Sequence, residues 1–397
     1  MALEEILKWL IRIAAAYYFA GFLYNTLLLY EYRLYKGIRL EKEYTNINYN
    51  EEPKQTRIAV IVPAFREENV IGRTLDFLVK AAETYDPKLV KVYVGTYPND
   101  PDTRRIVGEF ERNYPSLIEE VVNPKPGPTT KAQNLNNIYS NIKRKDFDLV
   151  GIQDAEDFIP SNIFDATNYW YIRRVKNDEK LAGLQFAVRA KPDNYSLTDL
   201  VYLLMLRSSN LFLTAKNRGF VPSHGTGTYY KKETLDEILK RRGYVWDEKN
   251  FTEDFEISLY LYYVLGKSLF YIPYPYIEEY FPSSFERAIK QLSRWAYGTL
   301  QSLIKHSKNI IRNTRSIEDL VYTAGFNTGA TSFIWWISIV LYPAFHLLGG
   351  FHSVEHVIFL INTLNGLRYI IEVPIVYEKL NLSDKNLSSL RRNLKNS

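Results

Sequence analysis

Four short apolar runs, each closed by turn-forming residues, alternate with stretches whose apolar positions recur at helical spacing. Arg57-Ile58-Ala59-Val60-Ile61-Val62-Pro63 is a β-branched run ended by proline, as in a strand buried on both faces. Residues 67–82 then carry Val70, Ile71, Leu75, Leu78 and Val79 at helical spacing. A second strand is expected at Val90-Lys91-Val92-Tyr93-Val94-Gly95. The turn-rich Tyr97-Pro98-Asn99-Asp100-Pro101-Asp102 and a helix over 103–113 follow it. Residues 118–122 read as a third strand and Asp148-Leu149-Val150-Gly151-Ile152-Gln153 as a fourth. This alternation predicts an α/β fold with a mixed, mostly parallel sheet and ligands at strand C-terminal ends.

Two kinds of segment break that rhythm. Over 284–305, Phe285, Ala288, Ile289, Leu292, Trp295, Ala296, Thr299, Leu300, Leu303 and Ile304 fall on one helical face, with Arg287, Lys290, Arg294, Lys305 and Lys308 largely off it. That pattern suits a helix lying in a membrane interface, and equally a surface helix packed on a core. Three other segments are long and apolar: 10–30, broken only by Arg12; the uncharged 328–351; and 354–377, which carries Glu355, His356, Arg368 and Glu372. Each approaches the roughly 20 residues that span a bilayer. The first reads as an uncleaved signal-anchor (1–32) and the other two as a helical pair over 328–377; a buried helical hairpin is the alternative for that pair. Arg33, Lys36, Arg39 and Lys42 follow the first segment, and a basic tail (378–397) with Lys379, Lys385, Arg391, Arg392 and Lys395 follows the last. Three spans put both flanks on one side, which the excess of basic residues makes cytoplasmic. The expected arrangement is a plasma-membrane protein with a cytoplasmic part over about 45–325, made of an α/β domain over 45–283 and an amphipathic interfacial helix region over 284–316.

Composition narrows the classes without choosing among them. The 397 residues are 46% apolar and 24% charged, as in a folded protein. A net charge of +5 is small and dispersed, and no nucleic-acid-binding signature is present. There is no cysteine, so disulfides and thiolate metal sites are excluded.

Three short motifs carry candidate chemistry. Asp154, Glu156 and Asp157 follow the fourth strand, where carboxylates can bind a hard divalent cation whose shell is completed by diphosphate oxygens. Thr252-Glu253-Asp254 opens an apolar helical run over 255–265. Thr252 could cap that helix while Asp254 serves as a general base towards a hydroxyl. Gln291, Arg294 and Trp295, at i, i+3 and i+4, share one helix surface and offer an amide, a phosphate-binding guanidinium and a stacking ring. Trp295 also belongs to the apolar stripe, and its direction is open. Gly225-Thr226-Gly227-Thr228 after His224 matches no phosphate-loop fingerprint; it reads as a turn that lets backbone approach a ligand, or as a hairpin turn.

The set formed by Val62-Pro63-Ala64-Phe65-Arg66-Glu67-Glu68, Asp154-Ala155-Glu156, Thr252-Glu253-Asp254 and Gln291-x-x-Arg294-Trp295 resembles the family 2 glycosyltransferases. The likeness is to the membrane-bound subset related to cellulose and hyaluronan synthases and ceramide glucosyltransferases, and it covers about residues 57–300. It implies a GT-A fold and inverting, single-displacement transfer from a nucleotide-diphosphate sugar, UDP-sugars favoured. By motif match, Asp154 and Glu156 would hold the diphosphate through Mg²⁺ or Mn²⁺, and Asp254 would be the base. Pro63, Ala64 and Glu67 would line the nucleotide pocket, and Lys131 would approach the donor. Glu253, Gln291, Arg294 and Trp295 would form the acceptor and diphosphate side. Two positions depart from the pattern. The acidic pair that usually ends the second strand is Val94-Gly95, leaving Asp100 as the nearest donor-side carboxylate, and Glu156 stands where a second aspartate is usual. Three spans are few for a polysaccharide channel, which points to a lipid-linked or glycan acceptor at the membrane. A processive polysaccharide synthase is the alternative, and a non-catalytic membrane scaffold with this fold is the alternative of another class.

Overall fold

The computed structural model describes residues 30–191, 197–216, 219–282, 284–315 and 323. The segments expected to span a membrane and the basic tail lie outside them, save for Tyr30. Among the described residues no helix is long and apolar enough to cross a membrane.

One seven-stranded sheet organises the molecule. Its strands are β1 (Ile58–Pro63), β2 (Val90–Thr96), β3 (Ile118–Val122), β4 (Leu149–Ile152), β5 (Leu181–Lys191), β6 (Thr228–Lys231) and β7 (Ser268–Tyr280). They lie in the order β3-β2-β1-β4-β6-β5-β7. The pairs β1–β2, β2–β3, β1–β4 and β5–β7 are parallel, and β6 runs antiparallel between β4 and β5. The sheet is therefore mixed and mostly parallel. The four expected strands appear within a residue or two of their predicted bounds, because runs buried on both faces need apolar side chains at every position. In β1, Ile58, Val60 and Val62 point into one core layer and Ala59 and Ile61 into the other.

Helices cover both faces. On one side lie α1 (Tyr30–Thr45), α2 (Ile71–Thr84), α3 (Pro101–Asn113) and α5 (Ile163–Trp170). On the other lie α4 (Lys131–Ile142), α7 (Lys232–Arg242) and α8 (Glu253–Tyr263), with α9 (Phe285–Asn313) outside them. The helix α6 (Leu197–Lys216) packs on β5 and on α1. α1 crosses α6 closely: a Cβ on Gly37 would sit 2.2 Å from the Leu211 carbonyl oxygen. Glu41 is 5% exposed and forms ion pairs with Arg207 of α6 and Arg189 of β5. An ion pair that buried needs each charge to satisfy the other, so α1 is locked to the sheet domain rather than lying beside it.

Strand order sets where a ligand can sit. After β3 the chain returns to the far side of β1 as β4, so the C-terminal ends of β1 and β4 part and leave a crevice. Pro63 and Ala64 leave one lip, and Asp154 leaves the other.

Candidate active site

The β1 lip turns at a residue in the left-handed region, which the sequence did not advertise. Arg66 has φ +59°, unusual for a side chain of that size. Asp100 secures it: one carboxylate oxygen accepts the Arg66 N–H at 2.6 Å and the other caps α3 through the Thr103 N–H at 3.4 Å. Asp100 is 4% exposed, so the expected donor-side carboxylate acts here as a brace. Glu67, next in chain, is fixed by its N–H on the Thr103 hydroxyl (2.9 Å). Burial and the nearby Glu156 and Asp154 raise the Glu67 carboxyl to about 7. Ala64 donates its N–H to the Gly95 carbonyl at 2.9 Å. Gly95 explains the missing acidic pair: a Cβ there would lie 2.3 Å from the side-chain oxygen of Asn134, whose amide nitrogen holds the Gly95 carbonyl (2.9 Å). Phe65 and Tyr97 meet edge to face at 5.1 Å, roofed by Gly127, which exchanges two 2.7 Å hydrogen bonds with the Asn99 amide.

On the β4 lip, Gln153 and Asp154 run into a tight acidic loop. The Asp154 N–H donates to an oxygen of Asp157 at 2.8 Å, and the Thr226 hydroxyl donates to the same oxygen. The other Asp157 oxygen is buried without a partner among the described residues. Burial and Asp154 push the Asp157 carboxyl well above its usual range. Glu156 stands exposed at the rim, and burial of its surroundings together with Asp154 raises it as well.

Lys131 joins the two halves of the cleft. It is the first residue of α4, whose N-terminus Thr130 caps through the Gln133 N–H (3.2 Å). Its ammonium lies 2.5 Å from Asp154 and donates to the Gly225 carbonyl at 3.0 Å. Burial opposes that charge, but Asp154, Glu253 and Asp254 together hold the Lys131 pKa above its ordinary value. Gly225 and Gly227 have φ of +79° and +61°, conformations that glycine alone adopts freely. A Cβ on Gly225 would lie 3.0 Å from an Asp254 oxygen and 3.4 Å from the Lys131 nitrogen. The His224-Gly225-Thr226-Gly227 turn is thus the seam between the acidic loop after β4 and the α8 terminus. His224, packed 6.4 Å from the Tyr271 ring, is held down to about 4 by burial.

At α8, Glu253 and Asp254 stand half-buried at a helix N-terminus. Burial followed by the Asp254 charge lifts Glu253 to about 7. Burial raises Asp254 too, against the pull of Lys131 and Arg294. The expected Thr252 cap is absent. α9 approaches so closely at Gly298 that a Cβ there would lie 2.7 Å from the Thr252 hydroxyl, which Asn250 engages at 3.3 Å instead.

The helix α9 corrects the single apolar face read from periodicity. Its sector is wide enough to split: Ala288, Leu292 and Thr299 turn inward, while Phe285, Ile289, Leu300 and Ile304 are 44–65% exposed. Small and polar residues such as Gly298, Ser302 and His306 complete the inner face, which a hydrophobicity pattern does not reveal. Trp295 faces the protein. Its ring meets Tyr202 of α6 edge-on at 6.2 Å and packs on a cluster containing Ala190, Leu203, Phe281 and Leu292. Gln291 accepts a 2.7 Å hydrogen bond from the Tyr202 hydroxyl, and Arg294 is exposed, with its charge felt at Asp254.

Two residues were not anticipated. Tyr202 had no motif around it and gains meaning only from the packing of α6 on α9. Glu279 sits at the end of β7, where Phe158 and Glu278 exchange backbone hydrogen bonds of 2.9 and 3.2 Å and strap the acidic loop to the strand. Strand alternation sends Glu278 to Lys191 (3.5 Å) and Glu279 towards the cleft. Burial and the charges of Asp157 and Asp154 raise its pKa well above normal.

The model of the family described as "Glycosyltransferase like family 2" matches residues 53–298, which contain every motif above. Bacteriophage adsorption protein B of Escherichia coli (strain K12) is 29% identical over 298 residues, covering 67% of this chain and 39% of that protein. The chain thus spans about two fifths of the length of that relative. The probable glycosyltransferase YdaM of Bacillus subtilis (strain 168) is 25% identical over 319 residues, 78% of this chain and 69% of that one. In fold, the chain resembles mannosyltransferase PcManGT of Pyrobaculum calidifontis, solved with GDP-Man and Mn²⁺. The TM-score is 0.53 at 16% identity, over 92% of this chain and 99% of that one. With a family model spanning more than half of its length, the chain belongs to the glycosyltransferase-like family 2.

Proposed function

We propose that the protein is an inverting transferase that moves a sugar from a UDP-sugar to a hydroxyl of a membrane-associated lipid or glycan. The observation that carries this reading is the Lys131 ammonium, which contacts Asp154 on one side and the Gly225 carbonyl on the other, beside Asp254. On this reading, one cleft would set a diphosphate-binding side against a carboxylate that takes a proton.

The donor diphosphate would lie along Asp154, Lys131 and Arg294, with Pro63, Ala64 and Phe65 beneath the nucleoside. A UDP-sugar is favoured because Asp100, 4% exposed and bracing the lip through the Arg66 and Thr103 N–H groups, offers little surface to the paired donors of a guanine edge. A divalent cation fits here only with its substrate. Among the described residues no three carboxylate or imidazole groups form a cage, whereas Mg²⁺ or Mn²⁺ needs one or two carboxylates plus phosphate oxygens. Asp154 and Glu156 would hold it, and it would offset charge on the leaving diphosphate. Asp254 would accept the proton of the attacking hydroxyl. Gln291 and Arg294 would grip the diphosphate, and Trp295 would wall the acceptor side.

The exposed apolar stripe of α9, edged by Arg287, Lys290, Lys308 and Arg312, supports seating of the catalytic domain on a bilayer. Replacing Asp254 with Asn tests the base. Transfer should fall by ~10²–10⁴ with donor affinity retained. Unchanged transfer would sink the assignment. A donor panel that includes GDP-mannose tests the nucleotide, and product masses lengthened by many sugars would replace single transfer with polymerisation.

A further inference from the structure

We propose that Tyr202 is a positioning residue for Gln291, turning the amide so that its nitrogen faces the cleft and donates to diphosphate oxygens. The inference rests on the reading of the cleft given above. Tyr202 is 1% exposed, and its hydroxyl lies 2.7 Å from the Gln291 side-chain oxygen. Its ring stacks on Phe281 at 4.6 Å and meets Trp295 edge-on, so the hydroxyl has little freedom to move away. α6, which carries it, is itself pinned. Asn210 donates to the Val188 carbonyl (2.9 Å) and accepts from the Tyr271 hydroxyl (2.6 Å), while Arg207 pairs with Glu41.

A primary amide has an accepting and a donating end, and which one reaches a ligand depends on what holds the other. Here the phenol can donate, and Gln291 supplies the oxygen. The amide nitrogen then has no partner among the described residues and sits one helical turn from Arg294. Carboxylates crowd the other walls of the cleft: Asp154, Glu253 and Asp254 surround Lys131. A further acceptor oxygen turned into that space would repel an anionic ligand. With the phenol as donor, Gln291 and Arg294 together form a donor-only pair suited to phosphate oxygens.

The test is a double-mutant cycle read by calorimetric binding of UDP and of GDP, each with Mn²⁺, to the full chain. Tyr202→Phe keeps the stacking ring, and Gln291→Met keeps the side-chain length, so both variants should fold; a melting temperature within a few degrees of wild type verifies this. In the wild-type background Tyr202→Phe should weaken diphosphate binding by about five- to tenfold, the loss expected for one oriented hydrogen bond. In the Gln291→Met background it should have no further effect. An equal loss in both backgrounds, or no loss in the first, overturns the positioning role. A wild-type protein that binds neither diphosphate overturns the reading of the cleft itself.

Discussion

Glu253 and Asp254 share one charge environment, and their proximity decides the pH behaviour expected under the proposed function. Burial and the Asp254 charge lift Glu253 to about 7, and burial lifts Asp254 as well, so the two titrate as a pair. A base must be ionised to accept a proton, so the acid limb of kcat/KM should lie above the ordinary aspartate range, in the direction in which burial moves Asp254. Replacing Glu253 with Gln removes a neighbouring negative charge and should move that limb to lower pH. A profile measured from pH 5 to 9 decides it, and a limb unmoved by the substitution would place the titration elsewhere. At this scale much of the chain was readable: the carboxylates of the two acidic motifs, Lys131 and Arg294 were identifiable from their motifs, whereas Glu279 was not. Their partners were not. Asp100 as brace and Tyr202 as clamp arise from contacts between residues 34 and 89 positions apart, and local pattern carries no information about such pairs.

Between elements, Glu256 is the knot that ties α8 to α9. It is fully buried and receives Arg242 (2.9 Å), Lys305 (2.7 Å) and His306 (2.9 Å). Burial alone would raise its carboxyl, but the His306 hydrogen bond and the Arg242 and Lys305 charges outweigh it and bring it down to about 2. A depressed carboxyl stabilises the fold above its unfolded value near 4.5, and that contribution disappears as pH falls towards 2. Glu256→Gln should cost about 3–5 kcal/mol at neutral pH, because the buried cations lose their counter-charge. In urea titrations the gap from wild type should close between pH 4.5 and 2. A constant gap would show that packing, not charge, holds the helices. The α9 periodicity foretold a long amphipathic helix but merged two faces, since Gly298, Ser302 and His306 make its inner contacts with few apolar atoms.

On the scale of the whole molecule, α9 presents Phe285, Ile289, Leu300, Ile304 and Ile311 outward, and Glu286 is its sole acidic residue. Phe251, immediately before Thr252-Glu253-Asp254, joins the same patch through an edge contact with Tyr297 at 5.2 Å. Large exposed apolar side chains edged by cations match the chemistry of an anionic bilayer surface. Leu300→Asp combined with Ile304→Asp should lower co-sedimentation of the chain with phosphatidylserine-containing vesicles by at least about tenfold, since burial of each aliphatic side chain is worth roughly 1.5–3 kcal/mol. Undiminished binding would assign the stripe another partner, or leave attachment to the segments outside residues 30–315. Sequence by itself determined the mixed α/β class, the four leading strands and the chemical groups of the cleft. Strand runs and short motifs are local, and each fits inside one window of chain. Only the tertiary structure decided that Lys131 bridges both lips, that Gly95 and Gly225 make room for Asn134 and Asp254, and that Trp295 faces inward. Those outcomes depend on which surfaces pack together, and packing is a property of distant residues brought within a few ångströms.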